Sequence, residues 1–145
     1  MRCRTTNSIL SDGRENMNRN ILKIIIPAVA LLLIGCRGNL PVNDIASAPI
    51  TTPRPATLED VQKAIIRAGA GLGWQMVPRG PGKVEGTLNV REHRAVVDVS
   101  FDAKTYSIKY KDSTNLNYDG TSIHAQYNTW INNLDKAIRT QLSVM

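Results

Sequence analysis

Two imidazoles and two thiols are the side chains of this 145-residue chain best suited to catalysis or metal binding: His93, His124, Cys3 and Cys36. Zinc needs three or four N, S or O ligands in a near-tetrahedral array, and such sets announce themselves by close spacings such as HExxH. Here only Glu92 and Asp119 lie near the histidines in sequence, with no HExxH, no His pair at helical spacing and no third ligand at a recognisable offset. The pattern predicts structural or solvated imidazoles, no metal and no cofactor. Nucleophilic catalysis fares no better, since neither a GxSxG nor an SxxK elbow occurs. Asp98, Asp102 and Asp112 fall in strands and turns, where carboxylates cap turns or stay solvated. An enzyme is therefore not expected; the alternative is an acid–base or metal-dependent factor centred on His93 and His124.

Binding chemistry has two candidate places. Tyr127 and Trp130 stand at helical spacing and could stack on a sugar, but Ile131, Leu134 and Ile138 share their stripe and predict a core position. The segment Thr114 to Gly120 offers Asn115, Asn117, Tyr118 and Asp119, hydrogen-bonding types suited to a protein or glycan partner. Loops on a rigid scaffold commonly carry recognition, so these four are the candidate partner-binding residues.

The elements that must hold them follow from periodicity. Thr57 and Asp60 make an approximate capping box, and Leu58, Val61, Ile65, Ala68 and Leu72 mark a helical stripe. Gly69, Gly71 and Gly73 dissolve it, placing its end near Ala70. Trp74 to Val77 predicts a short strand, and Arg79-Gly80-Pro81-Gly82 a hairpin turn. Lys83 to Val90, His93 to Phe101, and Tyr106 to Lys111 each alternate apolar with polar residues, the pattern of an antiparallel sheet with one solvated face. In that alternation Val96 falls with Arg94, Asp98 and Ser100 on the polar side. A final helix carries Ile123, Tyr127, Trp130, Ile131, Leu134, Ile138 and Leu142 on one side, capped by Ser122 or Thr121. The expected fold is α+β: a two-layer sandwich of helix, antiparallel meander of three or four strands, and helix, both helices on one face.

The N-terminal third reads differently. Arg19 and Lys23 precede an eleven-residue apolar core, Ile24 to Ile34, broken only by Pro27. That is well short of the roughly 20 residues a spanning helix needs, and small Gly35 then stands before Cys36. The stretch Leu33-Ile34-Gly35-Cys36 resembles the lipobox of bacterial lipoprotein precursors. The resemblance implies residues 1–35 are a signal peptide, with Met17 the better start. It also implies cleavage between Gly35 and Cys36, a diacylglyceryl group on the Cys36 sulfur, and a further acyl chain such as palmitate on the new amine. At about 0.8 kcal/mol per buried methylene, several chains anchor a protein stably. The residue after the cysteine is Arg37 rather than aspartate, which in that family implies the outer membrane, facing the periplasm.

Processing would change the composition. Five of the 18 Lys and Arg and two of the 12 Asp and Glu precede Cys36, so the remainder carries +3 rather than +6. These charges are dispersed and alternate in sign, which disfavours nucleic acid as a partner. The order of elements is similar to that of double-stranded RNA-binding domains, without their concentrated basic helix tip. Loss of Cys3 leaves no internal disulfide. Arg37 to Ala56, with Pro41, Pro49, Pro53 and Pro55, predicts an extended tether of up to about 60 Å, completing a 36–56 lipidated segment before a periplasmic domain at 57–145. The expectation is a membrane-anchored envelope lipoprotein with a non-catalytic binding or assembly domain. The alternatives are the histidine-centred factor and an inhibitor of an envelope hydrolase.

Overall fold

The computed structural model describes residues 38–145. The leader, Met17 and Cys36 lie outside the described residues. In chain order the elements are β1 (Asn39–Pro41), β2 (Ile45–Pro49), α1 (Leu58–Gly71), β3 (Gln75–Gly80), β4 (Lys83–Val90), β5 (His93–Phe101), β6 (Thr105–Thr114), β7 (Ser122–His124) and α2 (Ala125–Ser143). No described helix is long and apolar enough to cross a membrane.

The fold is α+β, as the periodicities predict. Strands β3 to β6 form the expected meander, and β2 joins them to give a five-stranded antiparallel sheet in the order β2-β6-β5-β4-β3. Pro81 and Gly82 connect Gly80 to Lys83, with Gly82 at φ +69, the proline–glycine order of a type II turn. A Cβ at Gly82 would meet the Phe101 carbonyl oxygen at 2.6 Å, so both dihedral and space require glycine here. One face of the sheet supplies Val84, Leu88, Ala95, Val97, Val99, Tyr106 and Ile108 to a single core shared with both helices.

Helix α1 begins as its capping box dictates: Thr57 Oγ1 accepts from the Asp60 amide, and the Asp60 carboxylate accepts from the Thr57 amide. It buries Val61, Ala64, Ile65, Ala68 and Gly69, while Leu58 and Leu72 at the two ends of the stripe are exposed. Gly69 does not end the helix. It lies inside it, and the Met76 thioether fills the space a Cβ there would need. Helix α2 buries Tyr127, Trp130, Ile131, Leu134, Ile138 and Leu142, so the two aromatics are core.

Three expectations require correction. Residues 37–56 are not an extended tether throughout: β1 pairs with β7 (Leu40 opposite Ile123) and β2 pairs with β6 (Ile45 opposite Ile108, Ala48 opposite Tyr106). Ala48 is fully covered, and Val42, Ile45, Ile50 and Ala56 pack on the core. Pro41 and Pro49 are compatible with this because each lies at a strand end, and β2 is an edge strand with no neighbour to receive the missing N–H; Pro53 and Pro55 lie outside the strands. Second, α2 is capped by His124, not Ser122 or Thr121, because Ser122–His124 is held extended by β1. Third, Val96 is buried although it points away from the main core, beside a register shift in the β5–β6 ladder.

Candidate functional site

The two histidines come together. Their rings stack with centroids 6.3 Å apart and planes 18° from parallel. His93 enters at the start of β5 and His124 at the end of β7, so the pairing is made by the folding of the 115–121 loop between them. His93 Nδ1 lies 2.7 Å from the Asn115 carbonyl oxygen, which only accepts, so that nitrogen carries a proton. His124 Nδ1 accepts from the Gln126 amide at 3.2 Å as the cap of α2, so in the neutral ring its proton sits on Nε2. A metal on His124 Nε2 would need the opposite tautomer and would forfeit the cap. Among the described residues no group of three His, Cys, Asp or Glu is placed to hold a metal ion.

The candidate binding loop is built from inside. Asn115 and Asn117 both adopt left-handed backbone, at φ +57 and φ +50, a conformation asparagine tolerates better than most residues. Asn115 Nδ2 donates to the Glu92 carbonyl, and the Asn117 carbonyl accepts from Asn39 Nδ2 at 2.7 Å. The Asp119 carboxylate accepts from the Ser122 and Thr121 amides, and these bonds hold it below the usual carboxylate range. Leu116, read from sequence as part of a polar loop, is 1% exposed and serves as its apolar anchor. The Tyr118 hydroxyl donates to the Gly120 carbonyl, while its ring packs on Tyr110 at 4.3 Å and stays 42% exposed. Asn115 and Asp119 thus use side-chain polar atoms to fix the loop and the turn beside it, Asn117 does so through its backbone carbonyl, and the loop presents the Tyr118 ring and the exposed Asn117 side chain.

This loop, the Val90–His93 turn and the Asn39–Leu40 end of β1 form one corner. Its members are far apart in sequence, and only the β1–β7 pairing brings Asn39 to it. Sequence reasoning missed β1 and therefore the corner. The sequence carried no signal for it, since Asn39, Leu40 and Pro41 are all exposed and show no apolar alternation.

A second surface is the solvated sheet face. Glu85 receives Arg79 Nη2 and Lys111 Nζ, each at 2.6 Å, and Lys111 also reaches Asp98 at 3.1 Å. Lys111 can span both carboxylates because it is the extra residue where Val96 pairs with Asp112 and Val97 with Tyr110. Hydrogen bonds from Lys111 and then Arg79 pull the Glu85 carboxyl down to about 2 from its ordinary 4.5. A carboxylate depressed in this way stabilises the fold above its ordinary range and ceases to do so as pH falls through about 2. The stability difference between wild type and Glu85→Gln is therefore expected to be present at pH 7 and to shrink steadily below pH ~4.5. Urea midpoints across that range measure it, and a constant difference down to pH ~2 would contradict the linkage.

No protein-family model, curated protein or solved structure matches this chain.

Proposed function

We propose that the chain is an envelope lipoprotein, anchored through lipid on Cys36, whose folded domain is a non-catalytic binding or assembly module with its recognition surface at the corner around the 115–121 loop.

 The observation that carries this reading is how the corner's polar groups are used. His93 Nδ1, the Asn115 amide and the Asp119 carboxylate are engaged in fixing the loop, and His124 Nδ1 caps the helix that follows it, so the corner is a preformed surface. A preformed loop binds without the entropic cost of ordering itself. The leader supports the anchor: a positive flank, a short apolar core, Gly35 and Cys36 stand in the order that lipoprotein precursors use. With Arg37 following, the outer membrane facing the periplasm is the proposed location.

Cys36→Ser tests the anchor. The variant is expected to incorporate no labelled palmitate and to persist as the unprocessed precursor, whereas normal maturation of that variant would end the lipoprotein reading. A second reading is favoured by one observation, the stacking of His93 on His124: a metal-dependent or acid–base factor. Stoichiometric zinc in protein purified without chelator, lost in His124→Ala, would select it over the binding module.

A further inference from the structure

We propose that the corner formed by β1, the Val90–His93 turn and the 115–121 loop rests on the headgroup layer of the membrane that holds Cys36, so that the domain lies against the lipid rather than standing off it. This rests on the lipid-anchor reading above. Only Arg37 and Gly38 separate Cys36 from Asn39, the first residue of β1. Three residue steps reach about 11 Å at full extension, whereas a free 20-residue tether would reach about 60 Å. The headgroup zone of one leaflet is itself about 5–8 Å deep. A lipidated Cys36 at its inner boundary therefore keeps Asn39 within a few ångströms of the membrane surface.

Asn39 fixes which part of the domain is brought there. It pairs with His124 and donates to the Asn117 carbonyl, and His93 bonds Asn115 of the same loop. Three large apolar or amphipathic side chains are exposed at this corner: Leu40 is 48% exposed, Tyr118 42% and Val90 37%. Tyrosine is favoured at the membrane–water boundary, where its ring and hydroxyl face different media. The Asp119 carboxylate and the Asn115 amide are already bonded within the corner, which leaves fewer of its polar groups for a glycan. Its charges, Arg91 against Glu92 and Asp119, do not favour anionic lipid, so the contact is expected to survive salt.

The test uses the full lipidated chain. Acylation blocks Cys36 and processing removes Cys3, so one introduced cysteine takes a nitroxide label cleanly. Labels at Leu40→Cys and Glu92→Cys report the corner; Lys104→Cys, in the β5–β6 turn at the other end of the sheet, is the control. In vesicles of phosphatidylethanolamine and phosphatidylglycerol, collision of the corner labels with an aqueous nickel chelate is expected to fall several-fold relative to detergent-solubilised protein, with Lys104→Cys unchanged. Inserting a flexible spacer of about 15 Gly and Ser residues after Gly38 should restore accessibility without affecting acylation or flotation with the vesicles. Equal accessibility at the three sites in a protein that is acylated and vesicle-bound overturns the proposal and leaves the anchor standing. Protection that survives the spacer, or that occurs only in native envelopes, also overturns it, the latter by pointing to a protein partner. Absence of acylation removes the anchor reading itself.

Discussion

A chain that begins at Ile50 is expected not to fold cooperatively, whereas one that begins at Gly38 should. If residues 38–49 were a tether, the two would unfold at the same urea concentration. Instead the segment closes the sheet on one side and the loop corner on another. Removing it strips β2 from Ile108 and Tyr106 and β1 from Ile123, each of which is at most 1% exposed in the intact domain. It also deletes the Asn43 contacts to Asn128 and Asn132 and the Asp44 carboxylate that accepts from the Tyr110 amide. Burying one large aliphatic side chain is worth about 1.5–3 kcal/mol. Exposing several at once removes about 5–10 kcal/mol, comparable with the 5–15 kcal/mol total stability of a typical domain. The ten-residue strand β6 would in addition become an open edge, which invites aggregation. Circular dichroism during urea titration of the two chains measures the difference; coincident midpoints would return the segment to the status of a tether.

The same segment shows where the sequence could be read and where it could not. Local signals with a local cause were legible. The Thr57–Asp60 capping box, the proline–glycine turn at 81–82 and the period-two strands β4 and β5 all depend on neighbours a few residues away. Strand β2 was hidden because its alternation is interrupted: Ser47 takes φ +48 at a register shift between Ile45 and Ala48, so the buried Ala48 falls out of phase with Ile45. Pro41 and Pro49 then made the whole segment resemble an extended linker. The helix end expected near Ala70 falls at Gly71, but the reason for a glycine at 69 was not legible, since the side chain that requires it, Met76, belongs to the next strand. The candidate site was partly legible. The residue types at 115–119 marked a loop, but their employment in fixing it depends on Asn39, Glu92 and Ser122. The His93–His124 stack is likewise a product of tertiary folding, which no spacing in the chain could reveal.

Trp130→Ala, on the buried stripe of α2, is expected to cost much of the domain's stability, whereas Tyr127→Phe on the same stripe is expected to cost none. Trp130 is 9% exposed and shares the core with Ile131, Leu134 and Ile138. Truncating a buried tryptophan leaves a large cavity and costs about 3–5 kcal/mol, a fall in melting temperature of roughly 12–20 °C for a domain of this size. A near-neutral result would mark the ring as peripheral and return it to consideration as a stacking surface. Tyr127 is wholly buried, but its hydroxyl has no hydrogen-bond partner among the described residues. Burial first, and then the nearby Asp44 carboxylate, raises its pKa, so the hydroxyl stays neutral. Leaving such a group unsatisfied costs about 1–3 kcal/mol, whereas the ring's packing, edge-on to Tyr110 at 5.7 Å, is retained by phenylalanine. Tyr127→Phe should therefore be neutral or raise the urea midpoint. A loss of more than about 1 kcal/mol would mean that the hydroxyl is bonded in solution, and would direct attention to the space between Tyr127 and Asp44 as a site for ordered water.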